Sequence, residues 1–339
     1  MRKPDTLRCL VCLPLILAAQ PAPSGDPEIL PPGAKLEQIF SGGVLTEGVT
    51  SAPDGTIYFS DITFTHLPGH GAGHIMKFDP ATKKVTVFRS PSGMSNGLKF
   101  DAQGRLLAAE GADQGGRRIT RTDMNTGKAE ILAALFEGHP LNSPNDITID
   151  EKGRVYFSDP RYLGAEPIDQ PLQAVYRVDP DRSIHRIVTD AGKPNGVCVS
   201  PDQKTLYVVS NDNGGTAIGR IPDTLPLAKG RMALLAYDLA ADGTAKFRKV
   251  LADYSPEDGP DGLTTDVEGN LYVAVRRVSR PGIVVYTPDG RERAIIPTPN
   301  LPTNVGFGRG ADSNLLYITE GGNVHRIRMK KRGYQLPVN

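Results

Sequence analysis

Pairs of short apolar runs, each alternating with polar residues and joined by a tight turn, recur along this 339-residue chain. TEGVTSAPDGTIYFSD, SNGLKFDAQGRLLAAE and PNDITIDEKGRVYFSD share one order: an acidic or amide residue, a strand, a turn, a second strand. PNGVCVSPDQKTLYVVS, PDGLTTDVEGNLYVAV and PTNVGFGRGADSNLLYIT repeat it. Period-2 alternation over runs this short predicts strands rather than helices. Asp54-Gly55, Gln103-Gly104 and Glu268-Gly269 supply the positive φ that tight turns require. The third unit continues through AVYRV (174–178) and a strand over 184–188, which makes a four-stranded antiparallel meander. The unit openings are Glu47, Asn96, Asn145, Asn195, Asp261 and Asn304, spaced 49, 49, 50, 66 and 43 residues apart. Units of this length that contain only strands and turns stack radially as blades. The expected fold class is all-β: a six-bladed β-propeller of four-stranded antiparallel blades over residues 35–331.

The strand count predicts how the ring closes. A fourth strand precedes each opening residue from Asn96 onward: VTVFR, EILAA, HRIVT, FRKVL and RAIIP. LEQIF (36–40) precedes Glu47 but has no blade of its own, and after Asn304 only VGFG, LLYIT and VHRIR remain. The N-terminal strand is therefore expected to complete the last blade, which removes two exposed sheet edges. Residues 23–34 then read as a linker and 332–339 as a C-terminal tail.

This geometry sorts the loops. If every first strand starts at one face, every second strand returns to it. Loops 62–73, 111–116, 160–173, 211–230, 277–281 and 320–322 then share that face with the six opening residues. Long loops over one face of a rigid scaffold shape binding sites. They bring His66, Arg118, Arg161 and Tyr162 forward as candidates for holding a substrate, with 211–230 as a candidate lid. The opening residues themselves converge on the propeller axis as a ring of carboxylate and amide oxygens. Such a ring suits a hard cation, calcium best, with magnesium, zinc or manganese as alternatives. Asn-Gly and Asp-Gly pairs also mark turns, so Asn96 and Asn304 have a purely local reading too. Glu47 is a poor turn residue and breaks the Asn/Asp pattern, so the local reading suits it least.

Composition narrows the classes. The formal charge is +1, from 39 basic and 38 acidic residues, without a basic patch, so neither nucleic acid nor an acidic membrane surface is an expected partner. Met1-Arg2-Lys3 and Arg8 lead into an apolar stretch, Leu10 to Ala19, too short to span a bilayer. Residues 1–22 are expected to be a signal peptide, with export to the periplasm or the extracellular space. The mature chain then keeps only Cys198 and forms no intramolecular disulfide. A monomer without membrane attachment after cleavage is the favoured state.

The phrases TEGVTSAPDGTIYFSD, NSPNDITIDEKGRVYFSDPRY, KPNGVCVSPDQKTLYVVSND and PDGLTTDVEGNLYVAV, in this order, resemble the senescence-marker-protein/gluconolactonase (regucalcin-like) family of calcium-dependent six-bladed propellers. The resemblance covers about residues 35–330. It implies a metal on the axis held by Glu47, Asn145, Asn195 and Asp261, with Asp261 as general base or nucleophile and Asn145 also facing the substrate. Such a site would hydrolyse lactones or related esters. Ser143-Pro144 departs from the family, which carries an Arg shortly before this Asn, and the chain has no Trp. A non-enzymatic binding module with a structural calcium, and a hydrolase of phosphotriester type, are the other readings.

Overall fold

The computed structural model describes residues 21–64, 71–215 and 229–337. The expected signal peptide, His66 and most of the candidate lid lie outside the described residues.

Six antiparallel sheets follow one another along the chain, each built outward from an inner strand at the axis. The inner strands are Thr46–Ser51, Ser95–Phe100, Ile147–Ile149, Pro194–Val199, Pro260–Thr265 and Pro302–Phe307, here blades 1 to 6. All but one of their residues are buried, whereas the outer strands Lys84–Arg89 and Ala245–Asp253 are largely exposed. Full burial also lets second strands such as Leu271–Val275 be apolar on both faces, whereas the more exposed outer runs mix polar and apolar residues. Neighbouring blades pack face to face. Val49, Ile57, Phe59 and Phe78 of blade 1 share a core with Leu315, Tyr317 and Val324 of blade 6. That apolar layer closes the ring.

Glu37–Phe40 pairs antiparallel with Asn323–Arg328, so the N-terminal strand does complete blade 6. Arg326 grips Glu37 through two bonds of 2.9 and 3.0 Å, and Phe40 lies 5.1 Å from the Phe59 ring of blade 1. The stretch 23–34, expected as a linker, carries structure of its own. Ser24–Gly25 adds a fifth strand to blade 5, and Ile29 and Leu30 are buried against blades 5 and 6. The stretch from 332 also docks. Gly333 bridges to Asp266, and Tyr334 bonds Glu151 and Gln203 at 2.9 and 2.8 Å. Isolated apolar residues in a short segment carry no periodicity, so neither docking was readable beforehand. A two-stranded hairpin, Leu135–Phe136 with His139–Pro140, is likewise additional.

Candidate active site

The opening residue and the glycine after it form a bulge in blades 2, 4 and 5. In blade 2, Ser95 pairs with Glu110 and Leu98 with Ala108, so Asn96 and Gly97 together oppose Ala109 alone. The same skip sets Asn195-Gly196 and Asp261-Gly262 against single residues. In blade 1 the skipped pair is Gly48-Val49, directly after Glu47. Bulges re-aim side chains next to functional sites. Asn96, Asn195 and Asp261 sit within these bulges, and Glu47 directly precedes one.

Glycine follows for a steric reason. A Cβ on Gly48 would lie 1.9 Å from the carbonyl oxygen of Asn96, one on Gly97 2.7 Å from that of Asn145, and one on Gly196 2.4 Å from that of Asp261. Each glycine thus lets its inner strand press against the opening residue of the next blade. The motif encodes both the side chain and the close approach that brings such side chains together.

Convergence is visible in the contacts. Glu47, Asn195 and Asp261 are all buried, while Asn145 is partly exposed. The Asn195 amide bonds the Asp261 carboxylate. Across the ring, Asn304 of blade 6 bonds the carboxyl of Asp146 of blade 3, which also accepts the Val197 N–H at 3.1 Å on Oδ2. Asn304 Oδ1 accepts its neighbour Val305 N–H at 2.8 Å, so the local reading holds for this oxygen. Asn96 differs: its Oδ1 is buried with no hydrogen-bond partner in the structure. A buried amide oxygen without a donor costs free energy unless a ligand meets it.

The electrostatics are those of crowded negative charge. Burial, then the charges of Asp261 and Asp146, push the Glu47 carboxyl well above its usual range, against the pull of Arg276. Burial also raises Asp261, opposed by Arg276 and by the Asn195 bond. Asp146 is pushed up to about 6, chiefly by burial. Carboxylates gathered without water around them favour a bound cation. Among the described residues no cluster of three or more His, Cys, Asp or Glu is poised on a metal. The candidate set Glu47, Asn145, Asn195 and Asp261 instead combines two carboxylates with amides, and the orphaned Asn96 oxygen and the mutual strain of Glu47 and Asp261 fit a hard cation on the axis.

The substrate candidates divide. Tyr162 reaches the ring: its hydroxyl donates to Asn211 O at 2.9 Å and meets Asn195 Nδ2 at 3.4 Å. Lys193 Nζ lies 4.3 Å over its ring centroid and bonds Asn213 Oδ1 at 2.7 Å. Arg161 does not join them. Its side chain is fully buried, donating to Asn142 O at 2.8 Å and to Glu166 O, where it pins loop 160–173. Successive residues of extended chain point to opposite sides, and here Tyr162 takes the open one. Arg118 shares the Glu110 carboxylate with Arg89, at 2.7 and 2.9 Å. Asp61 and Asp159, at the ends of second strands, accept backbone N–H groups: Val44 and Leu45 on the first, Asn142 and Ser143 on the second.

Sequence reasoning missed Arg276. Blades 1, 2, 3 and 6 end their second strands in Asp61, Glu110, Asp159 and Glu320, but blade 5 ends in Val275 with Arg276 next. Its Nη1 sits 3.2 Å from Asp261 Oδ2. The break in the acidic pattern was the available signal. Asp146, which stands where other blades have glycine, was also overlooked as a member of the cluster.

Comparison with known proteins adds to this geometry. Residues 45–322 match the family model described as SMP-30/Gluconolactonase/LRE-like region. A gluconolactonase of Zymomonas mobilis is 31% identical over 90% of this chain and 84% of its own length. The lactonohydrolase oryL of Aspergillus oryzae is 29% identical over 82% of this chain and 66% of its own. A solved gluconolactonase from Xanthomonas campestris superposes with a TM-score of 0.73 at 26% identity, covering 92% of this chain and 95% of that one. With the repeated bulges, the axial oxygen cluster and a match over most of its length, this chain belongs to the SMP-30/gluconolactonase/LRE-like family.

Proposed function

We propose that this propeller hydrolyses lactones or related carboxylic esters at the axial cluster, with a divalent cation, calcium in first place, held by Glu47, Asn145, Asn195 and Asp261. The observation that carries the reading is the buried set of opposing carboxylates and amide oxygens on the axis, Asn96 Oδ1 among them without a donor. The chain is a hydrolase of the lactonase type by family, and the relatives named gluconolactonase point to cyclic sugar esters as the first class to try.

When bound, the cation supplies Lewis-acid polarisation of a substrate carbonyl. Asp261 takes the proton of an attacking water, or attacks the carbonyl carbon directly. The Asn195 amide fixes the orientation of that carboxylate, and Tyr162 fixes Asn195 in turn. Asn145, the partly exposed member, faces incoming substrate. Substrate contact is proposed for Tyr162 and less directly for Arg118, while buried Arg161 holds the loop that carries Tyr162.

Hydrolysis of a panel of aldonolactones, aliphatic γ- and δ-lactones and an aryl ester by wild type and Asp261→Asn tests this. Loss of a general base costs about 10²- to 10⁴-fold in turnover, so a drop of that size with an unchanged thermal melt is expected. Turnover equal to wild type would remove Asp261 from the chemistry.

A further inference from the structure

Arg276 brings a positive charge into a cluster otherwise made of acids and amides. It follows directly on Leu271–Val275, one residue past Val275, which holds the place of the carboxylate that ends the second strand in four other blades. Its Nη1 lies 3.2 Å from Asp261 Oδ2 and also 3.2 Å from the carbonyl oxygen of Pro302 in blade 6. Among the described residues it is the one cationic side chain within ion-pair distance of Glu47 or Asp261. Its side chain keeps a quarter of its surface exposed, at 25%, so it sits at the mouth rather than beneath the ring.

Two features describe the grip. A charge-assisted bond to a carboxylate is ordinarily about 2.7–2.9 Å and often two-pronged for arginine. The bond here is longer and single, and the same nitrogen is shared with an uncharged backbone acceptor. Arg276 therefore neutralises Asp261 without locking it. If Asp261 turns to another cation, Arg276 keeps its tether on the Pro302 carbonyl oxygen. The charge count agrees. Glu47, Asp146 and Asp261 are all buried, and the positive charge of Arg276 acts on Glu47 as well as Asp261.

We propose that Arg276 is a resident counter-charge, which holds Asp261 while the cage is empty, competes with the divalent cation for that carboxylate, and so sets the cation affinity of the site. This rests on the reading of the ring as a cation site. It makes Arg276 a positioning residue acting through Asp261. Without it the empty cage would be self-repelling; with it, filling the cage means displacing or tolerating a like charge.

The test is calcium titration of the full chain by calorimetry, with terbium luminescence as a second probe, on wild type, Arg276→Gln and Arg276→Lys. Removing one positive charge a few ångströms from a divalent ion at partial burial is worth about tenfold or more in affinity. Arg276→Gln is expected to bind calcium about tenfold tighter. Arg276→Lys, which keeps the charge but on a shorter, flexible and more strongly hydrated head, is expected to tighten binding by a smaller factor and covers the case in which the Gln variant fails to fold. Thermal melts add a reading that needs no activity: Arg276→Gln should melt lower than wild type in chelator and level with it in saturating calcium. Equal or weaker calcium affinity in a folded variant overturns the proposal and makes Arg276 an orienting or purely structural partner. Wild type that binds neither calcium nor terbium overturns the cation reading of the ring itself, and the proposal with it.

Discussion

At the scale of single residues, the site is decided by which side of the chain a functional group leaves. Arg161 and Tyr162 are neighbours in one loop, and composition alone makes both plausible substrate contacts. Their side chains part, one fully buried on Asn142 O and the other touching Asn195. A sequence shows that a loop lies over the site but not which of two adjacent residues turns inward, because that depends on where neighbouring carbonyl groups need donors. The ring candidates stood out for the opposite reason: an opening repeated six times along the chain marks equivalent places in successive blades. Blades 4 and 5 both lack the acid that ends the other second strands, and such an exception does not report where the next residue, Arg276, points. Replacing Tyr162 by Phe removes the hydroxyl that meets Asn195 Nδ2 and leaves the ring under Lys193. The expected outcome is a loss in kcat of a few-fold to tenfold, about 1 kcal/mol for one neutral hydrogen bond, with a melt close to wild type. A fall in stability as large as the fall in rate would instead make Tyr162 a loop anchor.

At the scale of elements, the bulge couples strand packing to site geometry. Gly196 lets the inner strand of blade 4 lie against Asp261, and a methyl group there would stand 2.4 Å from the Asp261 carbonyl oxygen. Gly196→Ala is expected to cost about 1–3 kcal/mol in urea unfolding, the usual range for overpacking. It should also weaken calcium binding, because the strand that carries Asn195 must retreat. Unaltered stability would mean that the inner strands slide past one another freely, contrary to the packing described. The alternation, the turns and the strand order were all readable, since each is a local consequence of burial on one or two faces. The bulges were not, because an Asn-Gly pair within a strand and an Asn-Gly pair at a turn look alike until the partner strand is known.

At the scale of the whole molecule, the ring is closed by segments from both ends of the chain. The strand Glu37–Phe40 supplies the outer edge of blade 6 and presses Phe40 on blade 1. Deleting residues 35–41 is expected to lower the melting temperature of the entire propeller in one transition; an unchanged melt would contradict the closure. The far face is covered by the tail. Tyr334 and Leu336 close a cavity lined by Lys99, Thr148 and Cys198, with Tyr334 N bonding Thr265 O at 3.0 Å. Burial pushes the Cys198 thiol up to about 11. Truncation after Arg332 should therefore speed labelling of Cys198, read by peptide mapping, while leaving the ring on the other face intact. Closure from the N-terminus was foreseeable from a surplus strand meeting a deficient blade, whereas the tail has no such count to betray it.

If one axial oxygen cage, assembled from different blades, carries both the cation and the hydrolysis, the two are lost and regained together. Hydrolysis of the best lactone is the direct measurement, followed as wild-type protein is stripped with chelator and then titrated with calcium. Turnover is expected to vanish on stripping and to return in step with stoichiometric calcium binding. Turnover that persists in the stripped protein, or one calcium bound tightly with no hydrolysis of any substrate in the panel, would contradict it.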